Sequence, residues 1–190
     1  MRTKAGNKLV IVDRDGVINQ DSSDYIRTTQ QWQPLAGSIE ALARLHRSGY
    51  VVAVATNQSG IGRGYFSREA VYAMHRKMRR LVRKAGGDIA CIAFCPHHPD
   101  ASCDCRKPLP GLLHQISKRT GIDLEGAALV GDSARDLQAG ASVGCELWLV
   151  DTGNGKDTAR ALSSSAPEWW PCVTRVADLA ECADALLSRH

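Results

Sequence analysis

The sequence predicts an α/β fold with a mainly parallel sheet and helices on both faces, and three observations carry that expectation. Short apolar runs alternate with amphipathic segments of helical period along most of the 190-residue chain. Glycine follows the amphipathic segments where a helix has to stop. The first apolar run, Leu9-Val10-Ile11-Val12, leads directly into Asp13-Arg14-Asp15-Gly16-Val17. Two carboxylates therefore arrive at the C-terminal end of a strand, where open α/β sheets bind their ligands.

Each element has its own reason. Leu9–Asp13 begins with four apolar residues, three of them β-branched, and reads as a buried strand. Tyr50–Thr56, Ile89–Phe94, Ala127–Val130 and Glu146–Val150 are the other strand candidates. Between them lie helices over roughly Ser38–Ser48, closed by Gly49, Ser67–Ala85, closed by Gly86-Gly87, and Gly111–Thr120, closed by Gly121. A fourth helix is expected to begin near Ala134 and a fifth to run from about Ala177 to Leu187. The polar, Ser-rich segment Thr152–Pro171 reads as a helix and loop on the sheet edge, with Trp169 and Trp170 packing there rather than on a sugar. No internal repeat or low-complexity tract interrupts the pattern, so one domain over residues 1–190 is expected.

Composition excludes several classes. A hydrophobic share of 44% and a net charge of +4 fit a soluble globular protein and are too weakly basic to argue for nucleic acid. Aromatic residues make up 5% of the chain, which argues against a base-stacking surface. No apolar run approaches the ~20 residues of a membrane span. The basic start Met1-Arg2-Thr3-Lys4 precedes an apolar run too short for a signal peptide, so a cytoplasmic enzyme is expected. The basic run Arg76–Lys84 keeps an apolar stripe of Val71, Met74, Met78, Leu81 and Val82, so it reads as the solvated face of a helix.

The chemistry-bearing residues fall at strand ends. Asp13 and Asp15 repel each other in a dry site unless a cation joins them, and a hard divalent ion such as Mg²⁺ suits oxygen ligands and phosphate together. Thr56-Asn57-Gln58-Ser59-Gly60 ends the second strand with a hydroxyl and free backbone N–H groups, an oxyanion-binding corner. Gly131-Asp132-Ser133-Ala134-Arg135-Asp136 brings another carboxylate, with Asp136 one helical turn later. Arg106-Lys107 supplies fixed positive charge ahead of a helix.

Three of seven cysteines crowd into Cys95-Pro96-His97-His98-Pro99-Asp100-Ala101-Ser102-Cys103-Asp104-Cys105. Cys95, His97, Cys103 and Cys105 are four borderline or soft ligands, enough for a closed tetrahedral Zn²⁺ site within residues 95–105. Such a site is structural, and its place beside Arg106-Lys107 suggests that it fixes those cations over the substrate. His98 is set aside as a ligand. Cys91, Cys145, Cys172 and Cys182 sit among apolar neighbours and read as small core residues.

Taken in order, Asp-x-Asp, Thr56, Lys107 and Gly-Asp-x-x-x-Asp resemble the four motifs of the haloacid dehalogenase superfamily over about residues 8–150. The resemblance implies a single Rossmann-like haloacid dehalogenase domain. It implies that Asp13 is the nucleophile that forms an aspartyl-phosphate and that Asp15 is the general acid and then base. Mg²⁺ would be held by Asp13, the Asp15 backbone carbonyl and Asp132, and the phosphoryl oxygens by Thr56 and Lys107. Asp136 would orient its neighbours.

The zinc loop, Cys-x-His…Cys-x-Cys-Arg-Lys-Pro, is similar to that of two groups, the heptose-bisphosphate phosphatases and the histidinol-phosphate phosphatases. The runs Asp13–Asn19 and Thr56–Phe66 resemble the heptose group. That resemblance implies removal of the 7-phosphate from a manno-heptose 1,7-bisphosphate, on the way to nucleotide-heptose and lipopolysaccharide core. It implies a monomer acting on a small phosphorylated sugar, with Arg106 recognising the second phosphate and Asp21, Asn57, Gln58 and Ser59 near the substrate. Ser133 stands where some heptose phosphatases carry Lys, with Arg135 two residues on, and this leaves the anomer open. About 35 residues separate Asp13 from Tyr50, which excludes a large cap domain. A histidinol-phosphate phosphatase and a catalytically dead zinc-knuckle binding module are the alternatives. Retention of both Asp13 and Asp15 argues against the second.

Overall fold

Successive side chains of a strand point to opposite faces of its sheet, and in β1 (Leu9–Val12) both sets are apolar and fully buried. Such a strand has to be covered on both sides. In the computed structural model, which describes residues 8–189, β1 lies centrally in a parallel sheet. The other strands are β2 (Val51–Asn57), β3 (Cys91–Cys95), β4 (Ala128–Gly131), β5 (Glu146–Val150) and β6 (Val173–Val176), in the order β3-β2-β1-β4-β5-β6. Every neighbouring pair is parallel. The Met1–Lys4 stretch lies outside the described residues.

Even-numbered strand residues, among them Val10, Val12, Val52, Val54, Val130 and Trp148, meet α1 (Ser38–Arg47), α3 (Arg68–Lys84) and α7 (Leu179–Leu187). Odd-numbered ones, among them Leu9, Ile11, Ala53, Ala55, Leu129 and Leu147, meet α4 (Gly111–Thr120), α5 (Ala134–Ala141) and α6 (Gly155–Ser165). This is the expected two-sided fold.

Three differences from expectation have local causes. The short helix α2 (Ser59–Gly62) turns the chain directly after β2. A sixth strand, β6, follows the segment read as helix and loop; with four residues, two of them exposed, it carries almost no hydrophobic period. Cys172 is exposed in the short 3₁₀ turn before β6, so the core reading fails for it while Cys91, Cys145 and Cys182 are buried. Trp169 and Trp170 pack against the odd-face cluster. On α3 the apolar stripe is turned inward, although Leu81 is only half-buried. Among the described residues, no helix is long and apolar enough to cross a membrane.

The order reverses at β1, which runs to β2 and β3 on one side while β4 and β5 lie on the other. The crevice outside the C-terminal ends of β1 and β4 is the place a doubly wound sheet offers a ligand. Asp13 N donates to Val130 O at 2.9 Å and so ties the two strand ends together.

Candidate active site

Four strand ends feed one cavity of about 450 Å³. Asp13 and Asp15 come from the end of β1, Thr56 and Asn57 from β2, and Gln58 and Ser59 from the turn into α2. Arg106 and Lys107 come from the loop between β3 and α4, Asp132 from the end of β4 and Asp136 from the first turn of α5. Asp21, from the loop between β1 and α1, lies at the rim. Every sequence-predicted active-site residue therefore faces the same space.

At its floor, Lys107 Nζ lies 3.0 Å from Asp13 Oδ1 and 2.5 Å from Asp136 Oδ1, and donates to Ala55 O at 2.7 Å. Burial disfavours the ammonium, but Asp13 and Asp136 outweigh it and hold Lys107 well above the ordinary lysine range. Burial pushes Asp13 up to about 8 against the pull of Lys107, with Asp136, Asp132 and Asp15 adding to the rise. Burial and Asp136 also push Asp132 up to about 6, against hydrogen bonds from Asn154. One ammonium does not neutralise this many carboxylates.

The surplus fits a divalent cation. Carboxylate oxygens of Asp13, Asp132 and Asp136 lie within 4.8 Å of one another. Asp136 is already engaged, Oδ1 by Lys107 and Oδ2 by Ser133 N at 3.1 Å and Ser133 Oγ at 2.6 Å. Asp13 and Asp132 remain for a metal. Asp132 is held by the Asn154 backbone N–H at 2.8 Å and by its side-chain amide at 3.1 Å. Gly16, at φ 81°, makes room for it: a Cβ there would stand 2.2 Å from Asp132 Oδ2.

Arg14, given no role in the sequence reading, is buried and forked onto Asp15, with Nη2 at 2.8 Å from both carboxylate oxygens. Asn19 Nδ2 and Gln58 Nε2 each donate to Asp15 at 2.9 Å. Burial alone raises this carboxyl, but the Arg14 charge, backed by these hydrogen bonds, holds Asp15 below the usual carboxylate range. The available signal was an arginine between two acids directly behind a buried strand. Gln58 also donates to Thr56 Oγ1 at 3.0 Å, so its amide belongs to this network. The Asn57 amide is engaged at both ends with the Lys107 backbone, each at 3.1 Å, and serves as a clamp between β2 and the Lys107 loop.

Above the floor, Arg106 Nη1 is buried without a hydrogen-bond partner among the described residues. Arg135 and Arg63, both exposed, line the same cavity. Arg63 stands in the run Gly62-Arg63-Gly64, which by itself assigns it no role. Tyr25 and Phe66 also line the cavity, with ring centroids 6.3 Å apart, so two short loops wall it in place of a cap.

The same loop that carries Arg106 and Lys107 holds the cysteine cluster. Bond lengths of about 2.3 Å to sulfur and about 2.0 Å to nitrogen set tetrahedral edges of roughly 3.8 Å (S···S) and roughly 3.5 Å (S···N) around zinc. Here Cys95 Sγ is 3.8 Å from Cys103 Sγ, and His97 Nδ1 is 3.5 Å from Cys95 Sγ and 3.2 Å from Cys105 Sγ. The donor set and spacing fit zinc. His98 lies apart, its Nδ1 accepting from Asp100 N at 3.2 Å. The α2 turn packs tightly on this loop: a Cβ on Gly62 would meet His98 N at 2.2 Å.

Comparison with known proteins places this geometry. The HAD-hydrolase-like family profile matches residues 104–179. The chain is 51% identical over 179 residues to a Pseudomonas aeruginosa protein named D-glycero-beta-D-manno-heptose-1,7-bisphosphate 7-phosphatase, covering 94% of this chain and 97% of that one. It is 48% identical over 181 residues to the Bordetella bronchiseptica protein of the same name, covering 95% and 98%. It superposes with a TM-score of 0.89, at 46% identity and over 96% of this chain and 99% of the other, on a crystal structure of the D,D-heptose 1,7-bisphosphate phosphatase from B. bronchiseptica complexed with magnesium and phosphate. Strand order, strand-end carboxylates and identity across nearly the full length agree: the chain belongs to the D-glycero-beta-D-manno-heptose-1,7-bisphosphate 7-phosphatase family, within the haloacid dehalogenase superfamily.

Proposed function

We propose that the protein removes the 7-phosphate of D-glycero-D-manno-heptose 1,7-bisphosphate, as a single phosphatase unit over residues 1–190. The β anomer is the proposed substrate, as the names of the relatives suggest. An Asp13 oxygen attacks the phosphorus as the bond to the C7 oxygen breaks, and Asp15 gives that oxygen its proton. Water then attacks the aspartyl-phosphate, Asp15 takes the water's proton, and the bond to Asp13 breaks to release phosphate. Thr56 and Lys107 hold phosphoryl oxygens through both steps. Asp13, Asp132 and the Asp15 carbonyl would hold Mg²⁺, which when bound neutralises charge on the carboxylates and the transferring group. Cys95, His97, Cys103 and Cys105 would hold a structural Zn²⁺ that steadies the Arg106-Lys107 loop. Asp21, Asn57, Gln58 and Ser59 shape the substrate side, Asn57 through its clamp on Lys107 and Gln58 through Asp15. The reading further puts a monomeric enzyme in the cytoplasm, supplying a precursor of nucleotide-activated heptose and lipopolysaccharide core.

The observation that carries the bisphosphate assignment is Arg106: a buried guanidinium nitrogen without a hydrogen-bond partner among the described residues, one residue from the lysine on the nucleophile. A buried donor left unpaired is costly, and a second phosphate satisfies it. The test is a phosphate-release panel with Mg²⁺ over both anomers of the heptose bisphosphate, histidinol phosphate and fructose 1,6-bisphosphate. The β heptose bisphosphate is expected to lead in kcat/KM. A lead for histidinol phosphate rejects the assignment, and no release from any phosphomonoester favours a binding module.

A further inference from the structure

Arg14 stands between the two aspartates of the proposed chemistry, yet its side chain is not placed to bind substrate. It is 1% exposed, and each guanidinium nitrogen already faces a group of the chain. Nε donates to Asp15 Oδ1 at 3.1 Å, and Nη2 reaches Oδ1 and Oδ2 at 2.8 Å and Gln58 Oε1 at 3.2 Å. Nη1 faces His75 Nε2 at 3.5 Å, and the buried His75 ring is stacked edge-on to Phe94 with centroids 5.7 Å apart. With this arginine facing it, Nε2 of a neutral His75 serves as the acceptor.

Asp15 is consequently gripped from three sides. Arg14 forks onto it, Asn19 Nδ2 donates to Oδ1 and Gln58 Nε2 donates to Oδ2, each of the latter at 2.9 Å. These contacts, three on Oδ1 and two on Oδ2, use the carboxylate's roughly four lone-pair directions and set the plane of the group, so a proton enters by displacing one of the donors. The side chain keeps 21% of its surface, and Asp15 lines the cavity. A group that must hand a proton to one oxygen and later take one from water gains from a fixed orientation, because proton transfer depends on geometry first.

We infer that Arg14 is a positioning residue for the reaction, which fixes the Asp15 carboxylate toward the oxygen of the leaving group and toward the attacking water. The inference rests on the reading of Asp15 as the proton-handling carboxylate. It distinguishes Arg14 from Lys107 and Arg106, whose work is on phosphate. Lysine does not replace it, since a single ammonium lacks the planar fork that locks a carboxylate plane.

The test compares an alkyl phosphate, whose leaving alkoxide needs a proton, with p-nitrophenyl phosphate, whose phenolate does not. It uses Mg²⁺-loaded enzyme and reads kcat/KM, which reports events up to formation of the phosphorylated enzyme. Arg14→Gln is expected to lower kcat/KM about 100-fold on the alkyl ester and less than about 5-fold on the aryl ester. In an Asp15→Asn background the same change is expected to cost less than about 3-fold on either substrate, because the two residues act as a unit. Arg14→Lys keeps the charge in the buried site and is expected to show the same discrimination, about 10-fold against little, should Arg14→Gln fail to fold. Equal losses on both esters, or losses that multiply with those of Asp15→Asn, overturn the inference. If Asp15→Asn itself slows both esters equally, the proton-handling reading of Asp15 falls, and that failure is distinguishable because it appears without touching Arg14.

Discussion

Lys107 Nζ lies 3.0 Å from Asp13 Oδ1, and the same ammonium touches Asp136, so the lysine at the end of one loop joins carboxylates delivered by β1 and α5. The pair is nearly shut off from water, with 3% of the lysine side chain and 14% of the aspartate side chain exposed. Removing one partner of a buried pair leaves the other charge uncompensated, a loss of about 3–5 kcal/mol. Lys107→Met is therefore expected to lower the melting midpoint by roughly 6–20 °C in a chain of this size and to abolish most phosphate release. A midpoint within a degree or two of wild type shows that the ion pair contributes little to the fold.

Asp13→Asn keeps the shape of the side chain and removes the attacking oxygen's charge. Phosphate release is expected to fall by at least ~10³-fold, the scale of losing a covalent nucleophile, with the circular dichroism spectrum unchanged. Turnover within tenfold of wild type in contamination-checked protein excludes Asp13 as the nucleophile.

Protein purified without chelator is expected to carry about one zinc per chain by elemental analysis, tightly held and separate from exchangeable Mg²⁺. Cys103→Ser is expected to lose it, to melt at lower temperature, and to lower activity because Arg106 and Lys107 follow directly on the cluster. Zinc well below half an equivalent in the native protein rejects the site.

Arg106→Ala removes the half-buried guanidinium whose buried Nη1 has no hydrogen-bond partner among the described residues. Loss of a charged contact in a partly shielded pocket costs about 2–4 kcal/mol, so kcat/KM for the bisphosphate is expected to drop ~30- to 1,000-fold. Small monophosphates have no second phosphate to lose and are expected to change much less. Equal losses on both classes place Arg106 in the chemical step instead.

Burial, reinforced by the charge of Arg14, pushes His75 down to about 3 from its ordinary 6.5. Between those values the unfolded chain binds a proton that the folded chain refuses. Stability from this group is present above about pH 6.5 and is lost as pH falls toward 3, by up to ~1.4 kcal/mol per pH unit. His75→Leu is expected to flatten the acid limb of a urea-midpoint series at pH 7, 5.5 and 4.5. Parallel limbs for variant and wild type would mean that His75 is protonated without cost in the folded state.

Much of the site was legible because its signals are local. A buried strand announces itself in four consecutive apolar residues, and the carboxylates that follow it inherit its position. The zinc-type cluster spans eleven residues from Cys95 to Cys105, so its donor spacing is visible without a fold. Apolar runs placed five strands, and helix periods with the glycines after them placed helices between them. β6 escaped because a four-residue edge strand that leaves two side chains in water has almost no hydrophobic period. Cys172 was misread for a related reason: apolar neighbours in sequence do not show which side of a 3₁₀ turn faces the core.

The partnerships were a different matter. Arg14 meets Gln58 and His75 across 44 and 61 residues, and Asn57 clamps the Lys107 backbone across 50. Those contacts depend on the parallel register of β1 with β2 and on how α3 lies over the sheet, and no local pattern encodes either. The residue types, their charges and the strand ends that carry them were written in the chain. Which donor meets which carboxylate was settled by packing, because a buried polar group must find its partner wherever the fold brings one within about 3 Å.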